Sequence, residues 1–278
     1  MDLSNSKVAE DQLSSNSDRM HGEMSSASKK TLWSIGACDV FRPEVWRAAL
    51  TELVATALLM LTLTTSIIAC LDSNEVDPKL LVPFAVFIIV FLFLMVTVPL
   101  SGGHMSPVFT FIAALKGVIT LTRTLIYVIS QCIGSIIGFL IIMTLMDKRL
   151  ARVYSLGGCA VAGLKQQEAL LLEFCCTFVV LFVGVTIAFD KRRSHHLGLP
   201  MVCLVIAGAM ALAVFVSITV TGQPGYAGVG LNPARCLGPA LLQGGPLWNG
   251  HWIFWVGPFL ACILYYFISL NLPNEVFV

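Results

Sequence analysis

Few residues in this sequence carry chemistry, and most of them lie within or between apolar runs: Glu52, His104, Ser106, Glu173, Asn232 and Arg235. Glu52 opens Glu52-Leu53-Val54-Ala55-Thr56 and Glu173 opens Glu173-Phe174-Cys175-Cys176-Thr177, so a carboxyl with a threonine four residues on recurs on one helical face. A carboxylate in an apolar span is costly unless it faces protein or water. Two in equivalent settings fit buried acceptors for loop backbone N–H groups better than a proton relay. His104 and Ser106 suggest a nucleophile with its base, but they stand only two residues apart and no orienting acid is evident. A serine before Pro107 is an ordinary helix cap. His104 therefore reads as a hydrogen-bonding residue of its loop, and no catalytic residue is assigned.

The second cluster is Gly228-Val229-Gly230-Leu231-Asn232-Pro233-Ala234-Arg235-Cys236. Asn232 and Pro233 start a helix, and the apolar positions carry it only to about Leu242. A bilayer crossing needs roughly twenty apolar residues. A half-helix of this kind is tolerated only where protein buries it or a watery cavity touches it. Arg235 on such a segment is a functional residue by default. Ser106-Pro107-Val108 starts a second short helix, running to about Leu115, with Ser106 as cap.

The elements that position these groups belong to a membrane protein. Of 278 residues, 57% are hydrophobic and 12% charged, where soluble domains carry about a quarter charged residues. A net charge of +1 gives no argument for nucleic acid. Six stretches are long enough to span, roughly 48–71, 80–100, 125–146, 169–189, 199–220 and 252–270. Trp46, Trp248, Trp252, Tyr265 and Tyr266 fall near span ends, where amphipathic rings favour the headgroup zone. Residues 1–44 read as a largely disordered cytoplasmic tail without a signal peptide, and 272–278 as a short C-terminal tail. Basic residues favour the side of the termini by nine to five, which places both termini in the cytoplasm. Asp190 through His196 reads as the clearest cytoplasmic loop. The nine cysteines form no metal pattern, so no metal or cofactor is expected. Most sit in apolar runs as packing residues. Cys159, in the third loop, and Cys236, after Arg235, are the two candidates for redox chemistry or modification.

The fold expected is an all-α membrane protein with six transmembrane helices and two re-entrant half-helices in an inverted repeat. Its halves are about 45–146 and 169–271. Glu52 stands 54 residues before Ser106 and Glu173 stands 59 before Asn232, so each half is three spans with a short helix between the second and third. Three is odd, so the halves have opposite topology and their half-helices enter from opposite faces. Two positive N-termini then meet near the midplane, where they oppose a cation or proton. Asn232 caps through its carbonyl oxygen and aims its amide donors at the pore; Ser106 offers one hydroxyl.

The paired E-x-x-x-T, the Ser101-Gly102-Gly103-His104 before Ser106-Pro107, and the Gly-x-Gly-Leu-Asn-Pro-Ala-Arg together resemble the major intrinsic proteins, the aquaporins, over residues 45–271. The Ser106-Pro107-Val108 variant, the cysteine after Asn232-Pro233-Ala234-Arg235 and Leu156-Gly157-Gly158-Cys159 resemble the plant uncategorised X intrinsic proteins. The resemblance implies a plasma-membrane homotetramer with a pore in each subunit and a four-residue filter on the extracellular side of the midplane. Carried over by spacing, the filter is Val86, Val214, Val229 and Arg235. Water-selective members hold an aromatic and a histidine where Val86 and Val214 stand. Two aliphatic residues imply a wider, less polar pore for small neutral solutes such as glycerol, urea, boric acid or hydrogen peroxide, with modest water flow. The alternatives are a water-selective aquaporin and, less favoured, a secondary transporter. The latter needs ionisable pairs at the midplane, and only Glu52, Glu173 and Arg235 lie in spans or half-helices.

Overall fold

The computed structural model describes residues 36–73, 80–161, 163–221 and 228–271. Residues 1–35 of the N-terminal tail, the C-terminal tail and the stretch 222–227 lie outside the described residues; residues 36–44, expected in the tail, carry a 3₁₀ turn at Ala37–Phe41 and the start of the first long helix at Pro43. Secondary structure among the described residues is entirely helical. We number the helices α1 (Pro43–Leu71), α2 (Leu81–Ser101), α3 (Pro107–Leu115), α4 (Leu121–Leu145), α5 (Lys148–Val153), α6 (Gln166–Phe189), α7 (Lys191–Thr221), α8 (Pro233–Gln243) and α9 (Ile253–Ser269). Helices α1, α2, α4, α6, α7 and α9, the last with the short turn Gly245–Trp248 before it, are long and apolar enough to cross a membrane. Their exposed faces carry Leu50, Leu58, Leu92, Leu125, Ile129 and Leu260, an apolar exterior suited to lipid or to another subunit.

The repeat is visible in the packing. Helix α1 packs on α2 and α4, and α6 packs on α7 and α9. The half-helices cross over, α3 lying against α9 as well as α4, and α8 against α4 and, more lightly, α9. Small residues make the tight crossings. A Cβ at Gly134 would stand 2.3 Å from the Leu53 carbonyl oxygen, and one at Gly138 would stand 2.4 Å from that of Ala57. These glycines therefore seat α4 against α1 within one chain. Gly257 does the same for α9 against α6, with the Leu170 carbonyl and the Glu173 Cβ at 3.2 and 3.0 Å from a Cβ placed there.

Two expectations are corrected. The basic stretch Lys191–His196 is a short helical segment between two spans rather than an irregular loop, because the Asp190 carboxylate accepts from the Arg192 and Arg193 N–H groups at 3.0 Å each. The helix then kinks at Gly198, where φ is 73°, ahead of Pro200. Tyr265 does not face the headgroup zone; it is buried and shares a hydrogen bond with Thr186 at 3.1 Å. Trp46, Trp248 and Trp252 are exposed as expected of interfacial rings. Within α6, Leu181–Val185 forms a π-helical turn, a widened segment that displaces the chain beyond it.

Candidate pore and selectivity site

Both half-helices start as their caps dictate. The Asn232 Oδ1 accepts from the Ala234 and Arg235 N–H groups at 3.1 and 3.4 Å, and the Ser106 Oγ accepts from Val108 N–H at 3.3 Å. Such caps contribute about 1 kcal/mol each. Pro233 and Pro107 occupy the first helical positions, where no N–H is needed.

The approach to each cap has the same backbone. Gly102 and Gly228 have φ of 100° and 96°, while Met105 and Leu231, one residue before each cap, have φ of 46° and 54°. A left-handed conformation costs a non-glycine residue about 1–3 kcal/mol and persists only where neighbours over-determine it. Here the neighbours are the two glutamates. Glu52 accepts from His104 N–H at 3.0 Å and Met105 N–H at 2.6 Å, one on each carboxylate oxygen. Glu173 accepts from Gly230 N–H at 2.6 Å and Leu231 N–H at 3.2 Å in the same manner. The two side chains are 0% and 2% exposed, so each carboxylate is a buried clamp on its loop.

Around Glu52 the clamp extends to residues that sequence reasoning had missed. The Ser101 hydroxyl and the Gln131 amide donate to it at 2.6 and 2.9 Å, and the same Gln131 nitrogen reaches Thr110 Oγ1 at 2.8 Å. Gln131 is the one amide side chain in α4, which is the signal that marks it. His104 contributes its backbone N–H to Glu52 and a ring nitrogen to Thr110 Oγ1 at 3.1 Å, with its ring edge-on to Tyr127. Thr56 and Thr177, the second members of the paired motif, are buried, and their hydroxyls have no protein partner.

The half-helices meet through Asn232, whose Nδ2 donates to the Met105 carbonyl at 2.9 Å. One of its two amide hydrogens is thus spent across the repeat, leaving one for the pore. Asn232, Ser106, Met105 and His104 line a cavity of about 520 Å³ that runs to Lys191 and His195. Between these ends its wall is mostly apolar.

The expected filter residues lie outside that cavity. Val86, Val214 and Val229 belong to one buried cluster. Ser217 ties two of them together, donating to the Val214 carbonyl at 2.8 Å and accepting from Val229 N–H at 3.0 Å. Arg235 is buried, with its guanidinium held by the third loop: Nη1 lies 3.0 Å from Cys159 Sγ and Nη2 lies 3.5 Å from the Gly157 carbonyl. Cys159 and Cys236, singled out for redox chemistry, are joined as a disulfide that ties this loop to the first turn of α8. A Cβ on Gly230 would stand 2.6 Å from Cys236 Sγ, so only glycine leaves room for the bridge. Cys176, Cys203 and Cys262 are buried packing residues, as their settings imply. Among the described residues no cluster of His, Cys, Asp or Glu could hold a metal ion.

Comparison with known proteins agrees with this geometry. The family model described as major intrinsic protein matches residues 39–268. "Probable aquaporin TIP3-2" of Arabidopsis thaliana is 31% identical over 267 residues, covering 89% of this chain and 93% of that protein. "Aquaporin PIP2-7" of Musa acuminata is 32% identical over 229 residues, covering 78% of each. Among solved structures, the aquaglyceroporin from Plasmodium falciparum superimposes with a TM-score of 0.68 at 16% identity, covering 82% of this chain and 96% of that one. That likeness establishes the fold, and the family match spans both halves of the repeat. The chain belongs to the major intrinsic protein family of membrane channels.

Proposed function

We propose that the protein is a passive channel for small uncharged solutes, of the class of glycerol, urea, boric acid and hydrogen peroxide, with modest water flow and exclusion of protons and ions. The observation that carries this reading is the character of the filter positions: Val86, Val214 and Val229 are aliphatic, and Arg235 is the one charged donor among them. A solute's hydroxyl or amide groups bond the guanidinium while its carbons touch valine. Against ions stand the head-to-head N-termini of α3 and α8, whose dipoles set positive potential where they meet.

The same reading makes the chain a plasma-membrane homotetramer close to the uncategorised X intrinsic proteins, with both termini cytoplasmic. Disulfides persist in oxidising compartments, so the Cys159–Cys236 bridge favours the extracytoplasmic side for the third loop. That agrees with the positive-inside reading of Lys191, Arg192 and Arg193 on the opposite side.

Stopped-flow measurement on proteoliposomes tests the proposal. Glycerol and urea flux well above that of protein-free vesicles, non-saturating and weakly temperature-dependent, is the expected result. Fast water flux without either solute would instead mark a water-selective channel; saturable, ion-coupled flux would mark a transporter. Val214→His is expected to cut glycerol flux by at least severalfold with assembly intact. Unchanged flux in that variant would remove Val214 from the filter.

A further inference from the structure

A second cavity, of about 610 Å³, lies near the start of α7 beside the pore cavity, with which it shares part of its lining. It lies among the end of α6, the first turn of α7, the C-terminus of α3 and the end of α9. Three basic side chains face it: Lys116, Lys191 and Arg193. Asp190 is the single acid in the lining, and its charge is already engaged. Its Oδ1 accepts from two backbone N–H groups, and its Oδ2 pairs with Arg193 Nε at 3.2 Å. Three cations against one anion leave a net excess of two positive charges. Hydroxyl groups of Thr186, Tyr265 and Ser269 complete the polar lining, and Lys116 Nζ is already oriented by Ser269 Oγ at 2.9 Å.

The remaining wall is apolar, and two of its side chains face outward, Phe182 46% and Val183 38% exposed. Both come from the π-helical turn Leu181–Val185, a feature concentrated at functional sites in helices. A polar basic pocket bounded by lipid-facing aromatic and aliphatic side chains suits a ligand that is an anion at one end and hydrocarbon at the other. Basic pockets between membrane helices on the cytoplasmic side take phosphorylated lipid headgroups. Arginine provides fork geometry for phosphate, and lysine a point charge.

We propose that this cavity is a binding site for the phosphate monoester headgroup of an anionic lipid of the cytoplasmic leaflet, a phosphoinositide in chemical class. The headgroup phosphate sits among Lys116, Lys191 and Arg193, and an acyl chain lies along Phe182 and Val183. The cytoplasmic assignment rests on the orientation given under the proposed function. Occupancy reaches the pore by a direct route, because Val185, Phe189 and Lys191 line both this cavity and the pore cavity. A headgroup that draws Lys191 outward moves a positive charge away from the pore mouth.

The test uses the full chain in detergent, where both faces are accessible and binding is independent of sidedness. Short-chain phosphatidylinositol 4,5-bisphosphate, phosphatidylcholine, soluble inositol trisphosphate and inorganic phosphate are each titrated, with affinity and thermal stability as readouts. The expected result is binding and stabilisation by the phosphoinositide, at least tenfold weaker binding of the soluble phosphates, and none by phosphatidylcholine. The double variant Lys116→Gln with Arg193→Gln is expected to lose at least tenfold in affinity while keeping solute flux in vesicles of neutral lipid. Equal affinity in that variant would overturn the site. Equal affinity for inositol trisphosphate and lipid would overturn the lipid assignment. Parent protein that conducts solute in neutral vesicles but does not bind the phosphoinositide would overturn this site and leave the channel reading intact.

Discussion

Replacing each clamp glutamate by glutamine tests the structure quantitatively, because the repeat supplies its own control. Glutamine keeps the shape of the side chain but turns one acceptor oxygen into an amide donor. At Glu173 the two donors, Gly230 N–H and Leu231 N–H, sit on separate oxygens. In Glu173→Gln one of these N–H groups is orphaned and faces an amide that also lacks an acceptor. An unsatisfied buried donor costs about 1–3 kcal/mol, and bonds to a charged group are worth about 1.5–3 kcal/mol. A loss of about 2–4 kcal/mol follows, and Leu231 is then held less firmly at its φ of 54°. Val229 and Arg235 lie within four residues of Leu231, so solute selectivity is expected to degrade along with stability.

At Glu52 four donors converge, and counting bonds alone would make Glu52→Gln the worse change. The structure argues otherwise. The Ser101 hydroxyl can turn, accepting from the new amide and donating to the Thr97 carbonyl, which already lies 3.3 Å away. Met105 N–H and Gln131 then keep their oxygen, and only the His104 N–H is stranded, at about 1–3 kcal/mol. Glu173→Gln should therefore be the more destabilising of the two by about 1 kcal/mol, read as the lower midpoint in thermal unfolding of the solubilised protein. Adding Ser101→Ala to Glu52→Gln removes that acceptor and should lower the midpoint further. A larger loss in Glu52→Gln than in Glu173→Gln, or no further loss on adding Ser101→Ala, would refute this account.

Asn232→Ser retains a capping oxygen but removes the bond to the Met105 carbonyl, so it should cost about 1 kcal/mol and lower flux, measured by unfolding and by stopped-flow. Separating Cys159 from Cys236 by double substitution to serine frees the third loop from α8 over a separation of 77 residues. A stability loss of about 2–4 kcal/mol is expected, with flux that no longer responds to reductant, whereas reductant alters flux through the parent protein. Gly134→Ala places a Cβ 2.3 Å from the backbone oxygen of Leu53, which no rotamer relieves, so folded protein should fall sharply in size-exclusion chromatography. Gly117→Ala meets nothing within 4 Å of the added carbon, and its left-handed φ of 68° limits the cost to about 1 kcal/mol.

The spans and half-helices were legible because their determinants are local. Apolar run length sets the former; a capping oxygen followed by proline sets the latter, and α3 begins and ends where Ser106-Pro107 and Leu115 imply. The clamps were legible from the repeat, since a carboxyl at equivalent depth in two halves needs equivalent donors. What stayed hidden depends on distant pieces of chain meeting. Gln131 reaches Glu52 across 79 positions, and Ser217 gains its role only because Val229 folds back onto it. The charges of Lys191–Arg193 looked like a loop because Asp190 as a cap carries no stronger local signal than Asp190 as a solvated acid.

The unequal pair of caps also becomes intelligible at this level. The two halves agree in backbone, with matching left-handed residues at Met105 and Leu231 and one carboxylate beneath each. A helix start asks only for an acceptor oxygen, and serine supplies that as asparagine does. What serine lacks is a second arm. Asn232 reaches across to the Met105 carbonyl, so one amide suffices to lock the two half-helices together, and the partner cap is relieved of that task. Substitution at Ser106 that preserves an oxygen should therefore be tolerated, while the bridging amide at Asn232 is the one that the pair requires.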